Sequence, residues 1–153
     1  MDMIWYEIVF RVALAAVIGM VIGLQRELNG HPAGIKTHAM VCIGAAVIAL
    51  IQMQMFAEYS DIDPTRIIAQ VVSGIGFIGA GCILHNDRND TVSGLTTAST
   101  LWVAGCLGIA IGLGYYTICL ASFIAVMAIL IVVSLCRPKK KEKEASPPPD
   151  DTD

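Results

Sequence analysis

The chain is short of charge. Only 15% of its 153 residues are Asp, Glu, Lys or Arg, while 56% are hydrophobic and the mean hydropathy is +0.68. Soluble domains carry about 25% charged residues. That shortage excludes a disordered chain and an ordinary soluble enzyme, and it leaves an integral membrane protein. No basic excess exists either: the net charge is −3, which removes the overall positive field expected of a nucleic-acid binder. Cysteine is present at 42, 82, 106, 119 and 136, but the number is odd and no C-x-x-C occurs. A secreted disulfide scaffold and a thiolate metal site therefore lack their spacing. The cysteines read as small apolar packing residues.

Five apolar stretches approach the roughly 20 residues needed to cross about 30 Å of hydrocarbon. They run near 8–25, 38–57, 67–84, 95–113 and 117–136. The predicted fold is an all-α, five-helix transmembrane bundle over residues 1–136, with a disordered tail over 137–153. The connecting loops are short, which makes neighbouring spans antiparallel. Gly30, Pro32 and Gly34 break the first loop, Pro64 and Thr65 suit the start of span three, and His85–Gly94 is the most polar loop. The acidic segment before span one and the absence of a polar domain behind it argue for a retained span rather than a cleaved signal.

Lysine and arginine orient the bundle. Arg26, Lys36, Arg88, Arg137, Lys139, Lys140, Lys141 and Lys143 fall on one side, and Arg11 and Arg66 on the other. The N-terminus is expected outside and the C-terminus in the cytoplasm. Trp5 and the four tyrosines (6, 59, 115, 116) fall at outer ends, where amphipathic rings favour the interface. The tail, with its lysines and Pro147–Pro149, is polar enough to stay unfolded and can touch anionic lipid.

Spans two to five contain no charged residue between their ends, and span one holds only Arg11, which can snorkel outward or pair with Glu7. Coupled carriers and proton relays place ionisable groups at depth, so this pattern disfavours a pump. The chain has no internal repeat, which disfavours an inverted-repeat transporter. No nucleophile, base and orienting group can be picked out, and no enzymatic activity is expected. Gly74-x-Gly76-x-x-Gly79 matches the dinucleotide fingerprint in letters only, because it sits inside a span rather than after a soluble strand.

Small residues are plentiful and ordered. In span three, Ser73, Gly76, Gly79 and Ala80 share one helical face, and Gly74 and Gly81 lie on the opposite one. Small residues let helix backbones approach in lipid, so span three is expected to be central and packed on both sides. Gly19 and Gly23 form a G-x-x-x-G contact surface in span one. Thr96 and Thr97, after Gly94, read as helix-start residues. At one membrane face Glu27, Asp87 and Asp90 offer hard oxygen ligands of the kind Mg²⁺ prefers, without a tight ligand spacing; no cofactor is otherwise expected.

Four motifs stand in order: Arg26-Glu27; His31-Pro32-Ala33-Gly34-Ile35-Lys36-Thr37-His38; Gly74–Gly81; and Gly94–Trp102, reading GLTTASTLW. Together they resemble the hydrophobic N-terminal domain of the MgtC/SapB family, over about residues 8–134. The resemblance implies a multi-spanning bacterial inner-membrane protein linked to growth at low Mg²⁺ and to survival inside macrophages. It further implies modulation of a membrane ATPase or ATP synthase; the small-residue faces of spans one and three point to helix contact as the means, and membrane lipid and self-association are expected as further interactions. The alternatives are a Mg²⁺ transporter or channel and a scaffold for other membrane proteins. Family members commonly carry a soluble domain after the last span, where 17 residues follow here, and an Arg before Gly-Leu-Thr-Thr, where this chain has Ser93.

Overall fold

The computed structural model describes residues 4–59, 63, 65–86 and 90–136. It contains α1 (Trp5–Leu28), α2 (Ile35–Glu58), α3 (Arg66–Ala80), β1 (Leu84–Asn86), β2 (Thr91–Ser93), α4 (Leu95–Gly112) and α5 (Tyr116–Cys136). Pro64, Asp87, Arg88 and the tail 137–153 lie outside the described residues. Helices α1, α2, α4 and α5 are each long and apolar enough to cross a membrane.

Side-chain pairings give the direction of every helix. Gly19 faces Ala39 and Gly23 faces Gly34 and Ile35, so α1 and α2 are antiparallel. His38 meets Thr100, Gly108 faces Cys42 and Gly112 faces Ala46, so α2 and α4 run parallel. Two consecutive crossings in the same direction require a return between them, and α3 makes it. Its Ile75 packs on Gly105 and its Gly79 on Ala98, antiparallel to α4. Finally, Gln25 donates to the Leu130 carbonyl at 3.1 Å and Ser134 donates to Asn29 Oδ1 at 2.5 Å, which sets α5 parallel to α1. The five helices alternate, and Trp5 and Cys136 stand at opposite ends.

The helices stop for local reasons. Gly30 (φ 74°) and Gly114 (φ 81°) supply the left-handed residue that closes α1 and α4. In each case the next two amides turn back: Gly30 and His31 donate to the Glu27 and Arg26 carbonyls, and Gly114 and Tyr115 to those of Ile111 and Ala110. These are Schellman closures, and they satisfy carbonyls that would otherwise be orphaned. At the start of α3 the Asp63 carboxylate accepts from the Thr65 amide (2.9 Å) and hydroxyl (2.7 Å), which holds its carboxyl below the usual range.

Three expectations need correction. Span three does not run to Leu84. The helix ends at Ala80, and a two-stranded antiparallel hairpin follows, pairing Leu84 with Ser93, His85 with Val92 and Asn86 with Thr91. The first loop is also shorter than expected, because α1 persists to Leu28 and α2 begins at Ile35. Most important, α3 is not central. Among its described residues only Ile75 and Gly79 are buried, and Phe77 is 83% exposed. The centre belongs to α4, which buries Leu101, Ala104, Gly105, Leu107, Gly108, Ile109, Ile111 and Gly112. Glycine content alone cannot distinguish a helix packed on two sides from one that offers a free small face.

The core joins Ala15, Ile18 and Ile22 of α1 to Cys42 and Ala46 of α2, Leu107 and Ile111 of α4, and Cys119 and Leu130 of α5. A second cluster joins Ala45, Ala49, Ile75 and Ile109. In lipid, where the surrounding tails are as apolar as leucine, close packing rather than hydrophobic burial holds such helices together.

Candidate functional site: a buried polar cluster and an open helix face

Two features are organised enough to carry function, and both arise from motifs visible in the sequence. The first lies at the end of the bundle where α1 stops and α2 and α4 start. Arg26 is 3% exposed, and its Nη2 donates to Thr97 Oγ1 at 3.1 Å. His38 is fully buried. Its Nδ1 lies 3.0 Å from the Gly34 carbonyl, and its Nε2 lies 3.1 Å from Thr100 Oγ1. Thr100 Oγ1 also reaches the Thr97 carbonyl at 2.9 Å. A carbonyl can only accept, so Nδ1 carries a hydrogen. With the ring neutral, the one Thr100 hydrogen stands between two acceptors, His38 Nε2 and the Thr97 carbonyl. The cluster ties α1, α2 and α4 together where a bilayer penalises unpaired polar groups.

Glu27 completes this end. Its Oε2 accepts from the Ile35 amide at 3.0 Å and so caps α2 across the turn. A Cβ on Gly34 would fall on that carboxylate. Gly34 therefore leaves room for the cap, and the acidic group stands at the positive end of the α2 dipole. Of the rest of the motif, Ala33 is buried, His31 is half-buried, and Pro32, Lys36 and Thr37 are exposed. Thr96 faces outward at the start of α4 while Thr97 faces Arg26. Gly94 takes φ 88°, and a side chain there would fall on the Cys82 carbonyl.

The ligand set Glu27, Asp87 and Asp90 is not assembled among the described residues. Glu27 is committed to α2. Asp90 stands in the hairpin turn at φ 46°, with Oδ1 3.9 Å from His85 Nε2. Asp87 is outside the described residues. Among the described residues no three His, Cys, Asp or Glu side chains gather.

At the opposite end, Arg11 is 6% exposed and does not snorkel. It pairs with Glu7, donates through Nη1 to the Gly112 carbonyl at 2.6 Å and to Met53 Sδ at 3.3 Å, and lies 5.8 Å from the Tyr116 ring centroid. Both ends of the α1–α2–α4 core thus hold a buried guanidinium.

The second feature is the outer face of α3. Ser73, Gly76 and Ala80 share it and are exposed, Gly74 is exposed on another side, and among the described residues a Cβ on Gly74 or Gly76 would meet nothing within 4 Å. Gly79 is different, with Ala98 3.4–3.6 Å from its would-be Cβ, and Gly81 lies just past the helix end, facing the Ile78 carbonyl. Gly19 and Gly23 are used inside the chain: their would-be Cβ atoms lie 2.7 Å from Ala39 and 2.6 Å from the Gly34 carbonyl. Sequence reasoning missed Thr100 and the contact role of Gly105, Gly108 and Gly112. The available sign of the glycine contacts is their spacing along span four, above all Gly108-x-x-x-Gly112.

The MgtC family profile matches residues 12–138. The chain is 40% identical to "Protein SapB" of Bacillus subtilis, over 80% of this chain and 56% of that protein. It is 40% identical to "Putative magnesium transporter YhiD" of Escherichia coli K12, over 82% and 59%. It is 38% identical to "Protein MgtC" of Salmonella typhimurium, over 86% and 54%. The chain thus spans a little more than half the length of these curated relatives. No solved structure matches it.

Proposed function

Because the chain belongs to the MgtC family of multi-pass bacterial membrane proteins, we propose that it is a non-enzymatic inner-membrane regulator that acts through α3 on another membrane complex. The target is an ATPase or ATP synthase, the setting is adaptation to low Mg²⁺ and intracellular survival, and the end bearing Arg26 and His38 faces the cytoplasm. One observation carries the reading: Ser73, Gly76 and Ala80 form a small-residue face that no other described residue of the chain packs against. Small faces are where membrane helices approach one another. A second copy of this chain would compete for the same face.

Gly76→Leu tests the idea cleanly, because no described residue lies within 4 Å of a Cβ there. The bundle should fold as before. A bulky side chain in a close helix contact costs about 1–3 kcal/mol, so coupling to the target should weaken by about 5- to 150-fold. The readout is ATP synthesis by membrane vesicles and growth at low Mg²⁺. A variant that inserts normally and keeps its full effect sinks the proposal.

The name of the E. coli relative supplies a second reading, Mg²⁺ transport. Buried guanidinium groups at both ends of the core oppose a divalent cation there, since like charges in a low dielectric repel strongly. Reconstituted alone in sealed vesicles, the protein should give no Mg²⁺ flux above empty vesicles. Saturable flux would install transport as the primary activity.

A further inference from the structure

We infer that the base of the β1–β2 hairpin is sunk into the acyl–headgroup boundary of the bilayer, as a lipid-contacting element rather than a water-exposed loop. Depth along the bundle is the first argument. From Trp5 and Tyr6 to Arg26 is about 20 residues of α1, or about 30 Å, which is the thickness of the hydrocarbon core. Thr97 is level with Arg26 because the two are bonded. Leu95 is about 3 Å further along α4, and the hairpin joins there. Its base therefore lies at the margin of the hydrocarbon, within the interfacial layer that brings the bilayer to about 40–45 Å.

The side chains follow that depth. Leu84, Val92 and Leu95 are 67%, 52% and 56% exposed, and at the same end of the bundle Leu28 and Leu135 are 78% and 80% exposed. These residues mark the edge of an apolar band that passes from the helices onto the hairpin. Polar groups begin at His85, the cross-strand partner of Val92, and further along the hairpin Asp90 stands outward.

The backbone gives an independent argument. The last four carbonyls of a helix have no partner within it, and side chains, water or a tightened last turn must satisfy them. Here the chain satisfies all four of α3. Phe77 accepts from the Gly81 amide (3.1 Å), Gly79 from the Cys82 amide (3.0 Å) and Ala80 from the Ile83 amide (3.0 Å). Ile78 accepts from the Cys82 thiol at 3.5 Å. The strand pairing then takes up the inner edge of Leu84–Asn86, and Ser93 Oγ adds a bond to the Leu84 carbonyl at 3.4 Å. Non-helical backbone cannot leave such groups unpaired in hydrocarbon, and the two open strand edges, which water must satisfy, hold the hairpin base at the hydrated boundary rather than deeper. The arrangement also lets a 15-residue α3, about 22 Å long, serve as a full crossing: the hairpin base supplies the missing depth.

Spin labels on the full chain in phosphatidylethanolamine–phosphatidylglycerol vesicles test this. Single cysteines replace Leu84, Val92 or Asp90 in a background where the native cysteines are alanine. Labels at 84 and 92 should be several-fold more accessible to oxygen than to a water-soluble nickel chelate, with the order reversed at 90. Nickel access at 84 and 92 equal to that at 90 would overturn the inference, as would exclusion of both reagents, which would mean a protein cover. Should the cysteine-free background fail to fold, Leu84→Trp and Val92→Trp retain the native thiols, with Trp5 and Trp102 changed to Phe. Quenching by lipids brominated on the acyl chain should then exceed quenching by aqueous acrylamide, and the reverse order would overturn the inference.

Discussion

Gly108→Leu should prevent the bundle from assembling while leaving the individual helices able to insert. The α2–α4 contact is made backbone to backbone, and a Cβ on Gly108 would fall on the Cys42 carbonyl. One turn on, a Cβ on Gly112 would stand 2.5 Å from the Ala46 carbonyl. Backbone cannot rotate away as a side chain can, so the helices must separate. Overpacking in a closed core costs about 1–3 kcal/mol, occasionally more, and leucine adds three carbons beyond the methyl that already collides. The loss also reaches the His38–Thr100 bond, which needs α2 and α4 at this distance. Thermal unfolding in detergent, followed by the near-ultraviolet signal of Trp102 on α4, should show a non-cooperative transition for Gly108→Leu. It should show a wild-type transition for Gly74→Leu. A normal transition for both would mean that the α2–α4 contact does not hold the fold.

Arg11→Ala should be the most damaging change to a charged residue at the end bearing Trp5 and Tyr116. Arg11 reaches all four neighbouring groups at once: Glu7 on α1, Met53 on α2, the Gly112 carbonyl closing α4, and the Tyr116 ring opening α5. Hydrogen bonds to a charged group are worth about 1.5–3 kcal/mol. The Gly112 carbonyl would lose its donor, and a cavity would open beside Gly114, whose would-be Cβ lies 3.2 Å from Nη2. A net loss of about 2–4 kcal/mol is expected from these terms. Arg11→Lys should recover only part of it, because an ammonium cannot reach carbonyl, carboxylate and ring in the fixed planar geometry of a guanidinium. Denaturant midpoints in detergent for the three proteins check the order. Equal midpoints for wild type and Arg11→Ala would show that this end is held by packing alone.

Hydropathy made four of the five helices legible, because lipid selects for continuous apolar length and that property is local. Span three exceeded its helix for the same reason. Ile83 and Leu84 are as apolar as a span requires, but Leu84 pairs with Ser93 instead of continuing the helix, a contact no window over one segment contains. The alternating Thr91-Val92-Ser93 and the turn-forming residues before it were the available sign of a hairpin. Arg26 and His38 stood out as motif residues, yet their partners Thr97 and Thr100 lie 71 and 62 positions away, and nothing local links them. The pairing of Arg11 with Glu7 was legible because it spans one helical turn. The glycines of span three drew attention over those of span four because they are denser, whereas helix centrality depends on which neighbours the chain returns to.

Those same long separations have a consequence for biosynthesis. The parallel α2–α4 pair cannot close until α3 has been threaded through the bilayer between them. During translation, at about 5–20 residues per second, Arg26 leaves the ribosome roughly 4–14 s before Thr97, and His38 precedes Thr100 by a similar interval. Throughout that time the α1–α2 pair sits in the membrane with a guanidinium and an imidazole facing an open groove. Each lies within a few residues of the helix end it belongs to, so interfacial water can solvate it until α4 arrives. Had they been placed two turns deeper, the growing chain would have to hold unsatisfied polar groups in hydrocarbon while the rest of the protein was still being made.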